Sequence, residues 1–156
     1  EMLLEDVVMM SRHPYGNYVM QSLLEHGTES QKRRLLLDLE RNAEAIGRDN
    51  YGCAVMSAAM CQSTLDEQVS LARALVREPG LLVSMAQARH GHLSVKFVIQ
   101  VLEGSEREFA RHLLLANIPS LKASRYGRIV LASLHSHGAG ARSSAAHSAA
   151  SVAGGA

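Results

Sequence analysis

Aromatic residues are scarce in this sequence. Tryptophan is absent, and tyrosine and phenylalanine together supply only 4% of the 156 residues. A buried core must therefore consist of leucine, valine, methionine, alanine and isoleucine, a composition common in stacked helices. No apolar run approaches the roughly 18 residues of a transmembrane helix, and no secretory signal is visible, so we expect no membrane association.

Cysteine is rarer still. Cys53 and Cys61 are the only two cysteines, and they lie eight residues apart on one predicted helix, too far apart for a disulfide bond. Their scarcity favours a reducing, intracellular location, and we expect a cytoplasmic protein. The sequence also contains no P-loop, GxSxG, HExxH or dinucleotide-binding motif. We therefore expect no catalytic residues, no metal and no cofactor.

The chain has almost no net charge, since the formal value at neutral pH is +1. The distribution is uneven, because residues 89–134 carry seven lysine or arginine residues against three acidic ones. Five of these basic residues are Arg89, Lys96, Lys122, Arg125 and Arg128. They are consistent either with an ordinary solvated surface or with a surface that attracts phosphate groups.

A seven-residue frame recurs along the chain and is its most informative feature. It appears at Tyr15–Gln21, at Tyr51–Ser57 and at Tyr126–Ala132, with a degenerate copy predicted at Ser94–Gln100. The spacings are 36, 43 and 32 residues between four matched residues: Asn17, Cys53, Lys96 and Arg128. A unit that returns every few tens of residues indicates a stacked-repeat protein rather than a single enzyme core.

A second marker supports the repeat. Capping boxes, in which Ser or Thr is followed three residues later by Gln or Glu, are predicted to begin at Thr28, Thr64 and Ser105. We expect three helices in each unit, with units at about 3–41, 42–78 and 79–116 and a cap at 117–134. In the third unit we expect a longer connection from Leu81 to His92, and we expect the last helix of the cap at about 127–134. Residues 135–156 are rich in alanine, serine and glycine, and we expect them to be disordered.

The first copy of the frame carries side chains that suit a nucleobase. Asn17 and Gln21 lie one helical turn apart, and Tyr18 projects beside them. Two amides supply donors and acceptors for the edge of uracil, and a tyrosine ring stacks on a base. The same three residues are also consistent with the polar face of an ordinary amphipathic helix.

The stretch Tyr15–Gly27, which reads YGNYVMQSLLEHG, resembles a repeat of the Pumilio (PUF) family of RNA-binding proteins. The resemblance extends over about residues 3–134 and implies an all-α, right-handed α-solenoid made of the last three repeats of such a domain plus a C-terminal cap. It implies that the concave face binds single-stranded RNA and that the protein regulates mRNA after transcription. It further implies a monomer, with protein co-regulators on the convex face.

The resemblance also implies which residues contact RNA, because the family recognises a base with the first, second and fifth residues of one helix in each repeat. Carried over, these residues are Asn17, Tyr18 and Gln21 in the first unit, Cys53, Ala54 and Ser57 in the second, and Lys96, Phe97 and Gln100 in the third. The second unit departs from the family pattern, since Ala54 has no ring to stack. Arg125 and Arg128 in the cap are expected to meet phosphate.

Two alternatives remain open at the level of the sequence. One is a protein-interaction scaffold on the same solenoid architecture. The other is a PUF-like protein that binds structured RNA with a relaxed sequence preference, for which a nucleolar location is the alternative to a cytoplasmic one. RNA binding through phosphate contacts weakens steeply with salt, whereas binding of an apolar peptide does not.

Overall fold

A computed structural model describes residues 4–136, with side chains from residue 6 onward. All regular secondary structure in this range is α-helical, which confirms the predicted all-α class. None of the helices in the described part is long and apolar enough to cross a membrane.

The helices follow one another in groups of three. The first group is α1 (Leu4–Ser11), α2 (Gly16–His26) and α3 (Glu29–Arg41), and the second is α4 (Ala43–Gly47), α5 (Asn50–Gln62) and α6 (Leu65–Arg77). The third is α7 (Leu81–Ala86), α8 (Gly91–Val101) and α9 (Gly104–Leu115), after which come α10 (Ile118–Lys122) and α11 (125–136).

Equivalent helices stack against one another in rows. We call α2, α5, α8 and α11 the inner row, and α3, α6 and α9 the outer row. Within the inner row, α5 packs between α2 and α8. In the outer row α3 packs on α6, and a bidentate ion pair from Arg73 to Glu106, at 2.8 and 2.9 Å, joins α6 to α9.

One hydrophobic core runs between the rows without interruption. Its largest fully buried side chains are Met20, Leu24, Leu39, Ile46, Met56, Met60, Leu71, Leu75, Leu81, Leu82, Met85 and Ile99. Burial of each such side chain contributes about 1.5–3 kcal/mol relative to exposure. The core is therefore aliphatic and methionine-rich, as the shortage of aromatic residues predicts.

Four equivalent glycines fix the register of the units. Each lies against the carbonyl oxygen of the residue six positions earlier, on the short helix that precedes its inner-row helix, and a β-carbon at any of them would collide with that backbone. The pairs are Gly16 with Met10, Gly52 with Ile46, Gly91 with Met85, and Gly127 with Leu121. The third unit therefore has its frame glycine at Gly91, preceded by His90 where the other frames have tyrosine.

The degenerate frame predicted at Ser94–Gln100 is consequently wrong by one helical turn. The residue equivalent to Asn17 and Cys53 is His92, and Lys96 is the equivalent of Gln21. The spacings become 36, 39 and 36 residues, which is more regular than the predicted 36, 43 and 32. The frame was misplaced because His90 stands where the other units have tyrosine. The close contact of the frame glycine with the preceding short helix is nevertheless retained at Gly91.

The helix starts show the same correction. Thr28 forms the complete capping box with Gln31, and the Thr64 hydroxyl accepts a hydrogen bond from the Glu67 amide. The box predicted at Ser105 is wrong, because α9 begins at Gly104 with Glu103 as its N-cap. The N-caps of all three outer-row helices thus lie 11 residues after the residue that follows the frame glycine of their unit. These residues are Asn17, Cys53 and His92.

Two further expectations change. The stretch predicted as a long connection from Leu81 to His92 contains α7, so the third unit has the same short helix as the others. The final helix, predicted at 127–134, begins at residue 125 and continues through residue 136. The predicted disordered tail therefore starts too early, at residue 135, and its remainder at 137–156 lies outside the described residues.

Candidate nucleic-acid interface

The inner row carries a groove of about 300 Å³ between the first and second units. Its lining residues come from α2, from α5 and from the start of α8: Asn17, Tyr18, Gln21, Tyr51, Ala54, Ser57, Ala58, Cys61 and His90. All six residues predicted for the first two units lie close together, and five of them line this groove. Tyr18 is 65% exposed, so its ring is open to solvent.

Asn17 differs from the sequence-based expectation, because its side chain is buried and fully engaged. It is 2% exposed, and its amide nitrogen donates to the carbonyl oxygens of His13 and Pro14, at 2.8 Å each. Its Oδ1 accepts a hydrogen bond of 3.0 Å from the Gln21 amide. Among the hydrogen bonds of residues 6–136, that one is all that Gln21 makes, so Gln21 keeps its Oε1 and one amide hydrogen for a ligand.

The residue that follows the frame glycine has the same structural role in every unit. The Cys53 thiol donates to the Gly47 carbonyl at 3.0 Å, His92 Nδ1 to Ala88 at 3.1 Å, and Arg128 Nη1 to Lys122 at 2.9 Å. Each of these carbonyls lies at or just beyond the end of a short helix, where the last backbone acceptors have no partner within that helix. The residue therefore fastens the preceding short helix to the inner row.

The second unit offers little to a ligand. Burial, with a smaller effect from Asp49, raises the pKa of the Cys53 thiol to about 12. Ser57 is 8% exposed, and its hydroxyl donates to the His90 carbonyl at 2.7 Å and lies 2.9 Å from the Ser94 hydroxyl. These bonds join α5 to α8, so Ser57 stabilises the stack and has no hydroxyl hydrogen free for a base. Ala54 supplies only a methyl group to the groove.

In the third unit, the corrected register changes which residues are equivalent to the first. His92 is 9% exposed and stacks on Tyr126 of α11, with ring centroids 4.8 Å apart and planes 24° apart. Leu93, 43% exposed, is the equivalent of Tyr18, and the partly buried Lys96 is the equivalent of Gln21. Sequence reasoning missed His92 and Leu93, although the pair His90-Gly91 would have located them.

The other two residues predicted for the third unit lie one turn further along α8. Phe97, partly buried, is the equivalent of Ala58, and Gln100, exposed, is the equivalent of Cys61. Because Ala58 and Cys61 line the groove of the second unit, Phe97 and Gln100 belong to the same face but to a different level of it.

The start of α11 forms the basic end of the inner row. Arg125 and Arg128 are exposed, and the Arg125 guanidinium lies 6.0 Å from the centre of the Tyr126 ring. Lys122, at the end of α10, is also exposed. Phosphate binding by Arg125 and Arg128 stays a prediction.

Comparison with known proteins shows a similarity to one family of repeat proteins. Residues 6–39, which contain the groove residues of α2, match the model of the Pumilio-family RNA binding repeat. Pumilio homolog 9 of Arabidopsis thaliana is 24% identical over 132 residues, which is 83% of this chain and 23% of the relative. This chain is therefore similar to Pumilio-family repeat proteins.

Other relatives agree. Pumilio homolog 11 of the same plant is 26% identical over 133 residues, again 83% of this chain and 23% of the relative. The chain thus spans about a quarter of the length of the curated Pumilio relatives it matches.

Solved Pumilio-type structures match the fold. The Puf3 RNA binding domain bound to the Cox17 RNA 3′ UTR recognition sequence site B gives a TM-score of 0.68 at 23% identity, covering 83% of this chain and 36% of that one. The Puf4 RNA binding domain bound to the HO endonuclease RNA 3′ UTR recognition sequence gives 0.67 at 17% identity, covering 89% and 42%. The predicted right-handed α-solenoid is therefore confirmed.

Proposed function

We propose that the inner row binds single-stranded RNA and that the first unit recognises uracil. The role is sequence-selective binding of mRNA, of the 3′ UTR type, that regulates mRNA stability or translation. The observation that carries this proposal is the groove in which the open ring of Tyr18 lies beside the Gln21 amide. The resemblance to Pumilio relatives, whose solved domains carry RNA, supports the same conclusion.

The chemistry divides between three side chains. Tyr18 stacks on one base, an interaction that every base accepts because every base has a π-face. Gln21 provides an acceptor and a donor for the edge of uracil. Asn17 accepts the 3.0 Å hydrogen bond from Gln21 and so positions the Gln21 amide. Asn17 itself does not contact the base.

A second candidate function is binding of structured RNA with relaxed sequence preference. It is favoured by the second unit, where Cys53 is buried and the Ser57 hydroxyl is engaged with α8. A unit without free polar groups makes no hydrogen bond that distinguishes one base from another. The basic residues of the C-terminal end would then contribute more of the affinity.

The test is fluorescence anisotropy with a labelled single strand of about ten uridines. Tyr18→Ala is expected to weaken binding by ~1–3 kcal/mol, because one base loses its stacking partner. Phe109→Ala is the matched control, since Phe109 is a 54% exposed aromatic on α9 in the outer row. Equal effects of the two substitutions, or affinity that does not fall with added salt, would contradict RNA binding on the inner row.

We also propose that the protein acts without catalysis and resides in the cytoplasm. Support for the first part comes from the family, in which the repeat binds RNA. A fluorescent fusion imaged in living cells tests the second part. Concentration in the nucleolus would instead favour the candidate that binds structured RNA.

A further inference from the structure

We propose that Asp38 anchors an interface at the N-terminal end of the repeat array and that the partner is a helix carrying an arginine or lysine. The proposal goes beyond RNA binding, because Asp38 lies on α3 in the outer row and lines no part of the inner-row groove. The cation of the partner meets a carboxylate oxygen that has no hydrogen-bond partner among the described residues.

The first step is the burial of this carboxylate. Asp38 is 2% exposed, and its Oδ1 makes no hydrogen bond within the described part of the chain. Its Oδ2 lies 3.5 Å from Nε of Arg34, which is longer than the roughly 2.7–2.9 Å of a charge-assisted hydrogen bond. A buried oxygen without a partner destabilises the free chain, so a donor that reaches it gains affinity at this site.

The second step is the cavity beside the carboxylate, which measures about 390 Å³ and which we call the α3 cavity. Val7, Leu23 and Leu35 form its apolar walls, and Arg34 and Asp38 line it as well. The Arg34 side chain is 56% exposed, so it can turn toward solvent and leave the carboxylate to another cation. Apolar walls around one buried carboxylate suit the alkyl chain and charged end of an arginine or lysine.

The third step is the position of the α3 cavity, which indicates that a helix covers it. Between the second and third units, α6 faces α9 across a cavity of about 420 Å³ lined by Ser105 and Glu106 of α9. Their equivalents on α3 are Ser30 and Gln31, and both line the α3 cavity. On α9 this surface meets a cation from the neighbouring helix, since Arg73 of α6 bonds to Glu106 at 2.8 and 2.9 Å. On α3 it has no neighbouring outer-row helix on that side within residues 6–136.

The fourth step is the difference between this end and the junctions inside the array. The equivalents of Asp38 are Ala74, which is 1% exposed, and Leu113, so neither internal junction has a charge at this place. Residues 1–5 contain no lysine or arginine, so no side chain of that segment supplies the cation. Residues 1–46 carry eight acidic side chains against five lysines and arginines. A basic partner therefore complements both the carboxylate and the acidic first unit.

The first measurement is the thermal stability of the full chain. Asp38→Ala and Asp38→Leu install the residues of the second and third units, and at least one of them is expected to keep or raise the melting temperature, because a half-satisfied buried charge is removed. Asp66→Ala is the matched control, since Asp66 is an exposed acidic residue on α6. A fall in melting temperature in both Asp38 variants, beyond that of the control, would show that the free chain already satisfies the carboxylate and would overturn the proposal.

The second measurement is binding of a helical probe to the full chain, followed by two-dimensional NMR. The probe is a peptide with the sequence of residues 64–78, held helical by a side-chain staple, because α6 is the helix that offers Arg73 to α9. It is expected to shift the amides of α1 and α3 and to bind roughly tenfold tighter than the same peptide with Arg73→Gln. Asp38→Ala in the chain is expected to abolish this difference, whereas Asp66→Ala is expected to retain it.

Three outcomes would contradict the proposal. Equal affinity of the two peptides for the wild-type chain would show an apolar contact and overturn the role of Asp38. Shifts confined to α2 and α5 would place the peptide in the inner-row groove. The small probe n-butylguanidinium separates a side-chain pocket from a helix interface: if it binds the α3 cavity as tightly as the peptide does, the site takes a small molecule and the helical partner is overturned. None of these outcomes bears on RNA binding by the inner row.

Discussion

The first and second units share one frame but differ in what they leave for a ligand. In the first unit Tyr18 is 65% exposed and Gln21 makes one hydrogen bond. In the second, Ala54 has no ring and Ser57 is committed to α8. The residue that follows the frame glycine is buried in both units: Asn17 is 2% exposed and Cys53 is 1% exposed. A unit can thus keep its fold while it offers fewer free groups to a ligand, because Ser57 in the second unit is hydrogen-bonded within the stack, whereas Gln21 in the first keeps free polar groups.

The position of a unit in the array also matters. Val19 in the first unit is 49% exposed, whereas its equivalent Val55 is fully buried because α5 has neighbours on both sides. At this position the second unit is more completely packed than the first among the described residues. Substitutions at equivalent residues are expected to affect stability more in the second unit and RNA affinity more in the first.

The largest expected effect concerns the frame glycines. Gly52→Ala is expected to destabilise the chain by about 3 kcal/mol or more, because its β-carbon would collide with the Ile46 carbonyl between two packed helices. Gly16→Ala is expected to cost less, since its β-carbon would lie 2.7 Å from the Met10 oxygen, a less severe approach than at Gly52. Urea unfolding followed by circular dichroism measures both. A larger loss for Gly16→Ala would contradict the difference between the units.

The next prediction separates binding from stability at two equivalent residues, Gln21 and Ser57. Gln21→Ala is expected to weaken binding to the uridine strand by ~1–3 kcal/mol through loss of its base contacts. Ser57→Ala is expected to leave that affinity unchanged and to lower the free energy of unfolding by ~1 kcal/mol, because the His90 carbonyl loses a donor. Anisotropy titration and urea unfolding on the same two variants supply the comparison. A loss of RNA affinity in Ser57→Ala would show that the second unit does recognise a base.

The smallest perturbation uses the two cysteines as probes. Cys61 is exposed in the groove, whereas Cys53 is buried and its pKa is raised to about 12, so its reactive thiolate is scarce at mildly alkaline pH. Iodoacetamide is expected to modify Cys61 alone in the folded chain and both cysteines in urea, as measured by mass spectrometry. Bound uridine strand is expected to slow the reaction of Cys61. Unchanged reactivity with RNA bound would argue that the strand does not cross this groove.

Much of the fold could be predicted from the sequence because its signals are local. The recurring frame predicted units of helices, and the Thr28 capping box marks the start of α3 as predicted. The register of the third unit could not be predicted from residue identities alone, since His90 stands where the other units have tyrosine. What identifies that register is the contact of Gly91 with the Met85 backbone, which is a contact between helices.

The candidate site divides in the same way. The sequence by itself determined the helical class, the repeat and the presence of Tyr18 and Gln21 on one helical face, because these depend on residues within a few positions of each other. Only the tertiary structure decided that Asn17, Cys53 and Ser57 are engaged and that Lys96 takes the place of Gln21. The reason is physical: carbonyls at helix ends and between neighbouring helices accept hydrogen bonds from side-chain donors, and which donors reach them depends on packing.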